Sequence, residues 1–171
     1  MATITFKGNP VHTIGTLPPA GSQLPAFTLT DTSLHEVTNQ NFKGKYLVMN
    51  IFPSVDTGVC AASVRQFNQQ AAALPNVAVL CISRDLPFAH KRFCGAEGIE
   101  HVVSASDFRN PQFAIDYGVL MTDGPLAGLM SRAVVVADPS GRVIYTEQVP
   151  EIAQEPDYQA AISAITSHTT Q

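Results

Sequence analysis

Tyr46-Leu47-Val48-Met49-Asn50-Ile51-Phe52 is apolar at nearly every position, and Pro53-Ser54-Val55-Asp56-Thr57-Gly58-Val59-Cys60 follows it directly. The first run reads as a strand covered on both faces. Beyond Cys60, Val64, Phe67, Ala71 and Leu74 recur at helical spacing across residues 61–74. Pro75-Asn76 ends that helix, and Val77-Ala78-Val79-Leu80-Cys81-Ile82 reads as a second buried strand. Strand, helix, strand in this order implies a right-handed parallel crossover. Cys60 therefore falls where a buried strand passes into the first turn of a helix. Free N–H groups and the positive end of the helix dipole gather there and favour thiolate over thiol.

The remaining elements extend outward from this unit. Residues 3–7 and 11–14 flank Gly8-Asn9-Pro10, the pattern of an N-terminal hairpin, and residues 15–25 form a Pro- and Gly-rich loop. Phe27-Thr28-Leu29-Thr30 alternates as a half-buried strand that stops at Asp31-Thr32-Ser33. A short helix is expected over residues 87–94, ended by Gly95, a short strand at Val102-Val103 and a short helix over residues 111–117. Ala133-Val134-Val135-Val136-Ala137, the turn Asp138-Pro139-Ser140-Gly141 and Arg142-Val143-Ile144-Tyr145 predict a hairpin at a sheet edge. A closing helix over residues 156–167 carries Tyr158, Ile162 and Ile165 on one side. The expected architecture is one α/β domain over residues 1–171, with a mixed central sheet flanked by helices.

Composition narrows the function. A chain of 171 residues with 45 % hydrophobic and 14 % charged content is an ordinary globule, long enough to bury roughly 70 % of its unfolded surface. A net charge of −4 argues against nucleic-acid or anionic-membrane partners. No segment approaches a membrane span and the N-terminus lacks a signal-peptide pattern, so the expected location is the cytoplasm. Three cysteines without a CxxC, and five scattered histidines, predict neither a disulfide scaffold nor a metal site, and no cofactor is expected.

Ionisation alone does not make Cys60 a fast catalyst. An ordinary cysteine is about 3 % thiolate at neutral pH, so lowering its pKa raises the thiolate population only about thirtyfold. Nucleophilicity falls along with the pKa, so the site must also stabilise charge on a leaving group. Thr57 stands three residues before Cys60 and can aim a hydroxyl there, and Pro53 can wall the pocket without a competing N–H. Taken singly, these residues also fit a strand stop, a helix N-cap and a small buried cysteine.

Pro53, Thr57 and Cys60 together resemble the Pro-x-x-x-Thr/Ser-x-x-Cys signature of the peroxiredoxins. The wider stretch 50–60, Phe93-Cys94-Gly95-Ala96-Glu97-Gly98 and Arg132-Ala133-Val134-Val135-Val136 are similar to the bacterial thiol peroxidase subfamily, of the atypical two-cysteine type. The resemblance runs from about residue 6 to residue 158. It implies a thioredoxin-like fold and a peroxidase reducing hydrogen peroxide and organic hydroperoxides. Cys60 would be the peroxidatic cysteine, oxidised to a sulfenic acid. Cys94 would resolve it as an intrachain Cys60–Cys94 disulfide that thioredoxin reduces. Thr57 would hydrogen-bond thiolate and peroxide, Pro53 would shield the site, and Arg132 would favour the thiolate and stabilise the transition state. The resemblance also implies a homodimer.

Two cysteines on separate helices rarely bring their Cα atoms within the roughly 7 Å a disulfide needs, so local unwinding around Cys60 or Cys94 is expected during turnover. Cys81, inside a strand, reads as structural. His90 reads as a surface residue, although four residues from Cys94 it can share that helix face. Asp56 is expected to face away from the thiolate, and Val55, Leu120 and Met121 are candidate lining for an alkyl hydroperoxide pocket. Other functions fit a reactive cysteine too. A thiol–disulfide oxidoreductase would normally use a CxxC, a cysteine hydrolase needs a histidine base, and a peroxide-sensing redox relay needs a partner thiol.

Overall fold

The computed structural model describes residues 1–71 and 74–169. Nine strands and four helices follow in the order β1 (Thr3–Phe6), β2 (Asn9–His12), β3 (Thr28–Asp31), β4 (Glu36–Thr38), β5 (Tyr46–Ile51), α1 (Gly58–Gln70), β6 (Val77–Ser83), α2 (Pro87–Glu97), β7 (Val103–Ser106), α3 (Gln112–Asp116), β8 (Ala133–Ala137), β9 (Val143–Gln148) and α4 (Tyr158–Thr169). The strands β1 and β2 form a separate hairpin, and the others form one sheet in the order β4-β3-β7-β6-β5-β8-β9. The result is the expected thioredoxin-like arrangement, a mixed sheet between helices, with an added N-terminal hairpin.

Alternation along the strands divides the core between the two faces of the sheet. Leu47, Met49 and Ile51 of β5 join Leu80 and Ile82 of β6 on one face, under Phe113 and Tyr117 around α3. Val48, Val79, Cys81, Val134 and Val136 face the other way, against Cys60, Val64 and Phe67 of α1, Ile165 of α4 and the partly buried Phe93 and Cys94 of α2. Cys60 and Cys94 thus border the same apolar layer.

Two pairings position the site. Strand β5 runs parallel to β6, with Ile51 opposite Ile82, and antiparallel to β8, with Ile51 opposite Ala133. The segment leaving β5 is therefore flanked by the residues leaving β6 and by the residue entering β8. That residue is Arg132.

The structure corrects several boundaries. The N-terminal turn is Lys7-Gly8, both at positive φ, so Asn9 and Pro10 lie inside β2; a two-residue turn of this kind matches the strand twist. Helix α1 begins at Gly58 and ends at Gln70, before residues 72–73, which fall outside the described stretch. Gly95 does not end α2. The helix runs to Glu97 and stops at Gly98, whose φ of 65° is the left-handed conformation glycine adopts without steric cost. Strand β4 escapes the sequence pattern because it spans three residues. It is brought back onto β3 by Asp31, whose Oδ1 accepts from the N–H groups of Ser33 and His35 at 2.9 and 3.0 Å.

Candidate active site

Cys60 is the third residue of α1 and is fully buried. Its carbonyl accepts from the Ser63 hydroxyl at 2.7 Å, and Ser63 Oγ in turn accepts from Asn50 Nδ2 of β5 at 3.1 Å. The first turn of the helix is thereby tied to the central strand. Asn50 and Ser63 were not legible as site residues, because a single Asn in an apolar strand and a Ser in a helix carry no motif.

Arg132 supplies the charge. Its Nη2 donates to Cys60 Sγ at 3.3 Å across 72 positions of sequence, and its Nε donates to the Ile152 carbonyl at 2.8 Å. The side chain is among the largest buried ones in the chain. Its Nη1 is also buried and has no protein acceptor. A desolvated guanidinium with one donor on the sulfur and another uncommitted beside it can hold an anionic oxygen next to that sulfur. The N-terminal hairpin contributes indirectly: the Ile152 N–H donates to the Thr5 carbonyl at 2.9 Å, and Glu151 accepts from the Gly8 N–H at 2.9 Å, fixing the segment that carries the Ile152 carbonyl.

Pro53 is buried where the chain leaves β5. Thr57 is the N-cap residue of α1 and is exposed. Its hydroxyl donates to the Ser54 carbonyl at 3.1 Å, so in this structure its proton is turned into the loop and not onto the sulfur. Asp56 faces outward as expected and pairs with Arg92 of α2 at 2.8 Å.

Cys94 lies half-buried on α2, with Sγ 3.4 Å from the Ser104 hydroxyl of β7. It borders an open cleft lined also by Asp31, Lys91 and Gly98, so it is approachable from outside. All three cysteines are free thiols. Cys81 is fully buried in β6, and burial pushes its thiol up to about 12, which keeps it protonated and unreactive at neutral pH. Cys60 and Cys94 are thus brought to one side of the sheet but stay on separate helices, one of them sealed from solvent.

Two expectations fail. His90 is not on the surface; it is fully buried, with Nε2 3.0 Å from Ser83 Oγ, because α2 lays that face against the segment leaving β6. Val55, Leu120 and Met121 do not share a pocket. Val55 packs with the Cys60 layer, Leu120 against the opposite face of the sheet and Met121 beneath the N-terminal hairpin. Among the described residues no cluster of three His, Cys, Asp or Glu side chains is arranged to hold a metal, and no helix is long and apolar enough to cross a membrane.

The Redoxin family model matches residues 19–162. A thiol peroxidase of Mycobacterium tuberculosis is 58 % identical over 165 residues, and one of Corynebacterium glutamicum 54 %; each match covers 96 % of this chain and 99 % of the relative. A solved peroxiredoxin-like protein from Aquifex aeolicus superposes with a TM-score of 0.92 at 37 % identity, covering 98 % of this chain and 97 % of that one.

Proposed function

The chain belongs to the Redoxin family and is a peroxiredoxin-type thiol peroxidase, and from that premise we propose that Cys60 and Cys94 carry a two-cysteine peroxide-reducing cycle. The Cys60 thiolate attacks one oxygen of hydrogen peroxide or an organic hydroperoxide. The O–O bond breaks, Cys60 becomes a sulfenic acid, and the departing oxygen takes a proton to leave as water or alcohol. Cys94 then attacks the sulfenic sulfur, the sulfenic hydroxyl leaves as water, and an intrachain disulfide remains. Thioredoxin, a dithiol, takes up that disulfide and returns both cysteines to thiols.

The observation that carries this reading is the 3.3 Å contact between Arg132 Nη2 and Cys60 Sγ inside a buried site. The guanidinium holds negative charge on sulfur, and Nη1 remains to bind the peroxide oxygen on which charge develops. Pro53 excludes water from one wall. Thr57 would exchange the Ser54 carbonyl for a peroxide oxygen when substrate binds. The hydrogen-bond partner of the Cys60 sulfur is a guanidinium and not an imidazole, which disfavours hydrolase chemistry.

The protein is read as a cytoplasmic homodimer. Free thiols suit a reducing compartment, and the exposed Leu86, Phe88 and Phe108 give a second copy apolar surface to cover. The reading is tested by following peroxide consumption with thioredoxin, thioredoxin reductase and NADPH. Wild-type protein turns over and Cys60→Ser does not. Full turnover by Cys60→Ser removes the reading.

A further inference from the structure

Beside the loop that leads into Cys60 lies a polar cluster, buried at Ser83 and His90 and half-buried at Asp85 and Ser54, that the peroxide chemistry leaves unexplained. Asp85, just past the end of β6, accepts from the Ser54 hydroxyl at 2.7 Å through Oδ1 and from the Val55 N–H at 2.8 Å through Oδ2. The Ser83 hydroxyl donates to the same Oδ2. Ser83 has one proton, and with it committed to the carboxylate its oxygen accepts from the Asp85 N–H at 3.1 Å and from His90 Nε2–H at 3.0 Å. His90 is thus a neutral Nε2–H imidazole, with Nδ1 buried and unpartnered. Burial pushes His90 down to about 4 against the opposing pull of Asp85.

Ser54 and Val55 lie between Pro53 and Thr57, and His90 is one turn before Cys94 on α2. The chain His90–Ser83–Asp85–Ser54/Val55 therefore joins the helix of one cysteine to the loop of the other. On the solvent side Arg92 and Asp56 make a second link between the same two elements, at 2.8 Å. With both links in place Cys60 is buried in the first turn of α1 and Cys94 stays on α2.

We propose that Asp85 is a positioning residue for the Cys60 loop and that, with Ser83, His90 and the outer Arg92–Asp56 pair, it latches α2 to that loop until Cys60 has been oxidised. The inference rests on the reading of Cys60 as the residue oxidised and Cys94 as its resolving partner. Its consequence is that the latch speeds the first step and slows the second. Closed, it keeps Cys60 against Arg132; to condense with Cys94, the oxidised loop must release Asp85. A residue that only stabilised the fold would not move the two steps in opposite directions.

The chain has no Trp to report the steps by fluorescence, so the test is rapid quenching into acid and alkylating reagent, with intact mass read against time. Hydrogen peroxide is used at concentrations where sulfenate formation outruns its loss. Asp85→Ala, which removes three acceptor contacts, is expected to slow thiol loss about tenfold or more and to speed conversion of sulfenate to disulfide at least about fivefold. Ser54→Ala leaves the Val55 and Ser83 contacts to Asp85 in place and shifts both rates in the same directions by less, which keeps the test open should Asp85→Ala not fold. Asp56→Asn breaks only the exposed pair and changes either rate less than about fivefold. Disulfide formation unchanged or slowed in the folded Asp85 and Ser54 variants overturns the latch. Peptide mapping of oxidised wild type separates the two claims: a wild-type Cys60–Cys94 bond with unaltered variant kinetics sinks the latch alone, and absence of that bond sinks the cycle on which it rests.

Discussion

Replacing Arg132 with Met tests what the guanidinium does for Cys60. Met fills much of the same buried volume but offers the sulfur no charge and no donor. A unit charge pair at the observed 3.3 Å attracts by about 5 kcal/mol at an effective dielectric of about 20. Desolvating the guanidinium offsets much of this, which leaves about 2 kcal/mol for a hydrogen bond to a charged group. Nη1 is buried without an acceptor and, on the proposed reading, would donate to the leaving oxygen; losing such a donor costs about 2.7–4 kcal/mol of transition-state stabilisation. One side chain supplies both effects, so the larger sets a floor near 10²-fold and the sum a ceiling of order 10⁴-fold. Arg132→Lys keeps the charge, but a point-like ammonium cannot serve the Ile152 carbonyl, the sulfur and a peroxide oxygen as the planar fork does. It should restore less than about a tenth of the lost rate. The assay is the second-order rate constant for thiol loss with hydrogen peroxide, from quenched mass spectra, on variants with native circular dichroism. A folded Arg132→Met protein within threefold of wild type would refute the reasoning.

Three further outcomes are expected. Cys94→Ser given one equivalent of peroxide without added thiol accumulates sulfenic acid at Cys60, and excess peroxide carries it on to sulfinic acid with a second equivalent consumed; intact mass separates the species. Ser63→Ala removes the bond to the Cys60 carbonyl and leaves Asn50 Nδ2 without its oxygen acceptor, so urea unfolding should show a loss of about 1–3 kcal/mol with an unchanged slope. His90, held near 4 by burial, binds fewer protons folded than unfolded between pH 4 and 6.5, so its contribution is present above about pH 6.5 and is lost as pH falls toward 4. Over that window wild type should lose about 3 kcal/mol more than His90→Gln; equal losses by urea titration at each pH would contradict the buried neutral imidazole.

What the sequence made readable was local and repetitive. The apolar runs at 46–52 and 77–82, with a helical period between them, placed Cys60 at a strand-to-helix junction, and the β8–β9 hairpin followed from its turn. The start of β8 at Ala133 also left Arg132 at a strand end, although only the Ile51–Ala133 register brings it to Cys60. Residues that act through single long-range contacts carried no such signal. Asp85 meets Ser54 across 31 positions in a polar loop, and His90 sits on a helix whose apolar and polar sides are poorly separated. Burial of His90 is tolerable only because Ser83 waits at the end of another strand. The Thr57 hydroxyl stands at the expected junction, but in this structure its proton goes to the Ser54 carbonyl three residues before it.

The pairing of Cys60 with Cys94 is what the account stands on. Reduced protein treated with one equivalent of hydrogen peroxide, alkylated and digested without reductant should yield a peptide linking Cys60 to Cys94, with Cys81 alkylated after unfolding in every molecule. A Cys60–Cys81 peptide, or Cys94 recovered alkylated while peroxide has been consumed, would contradict it.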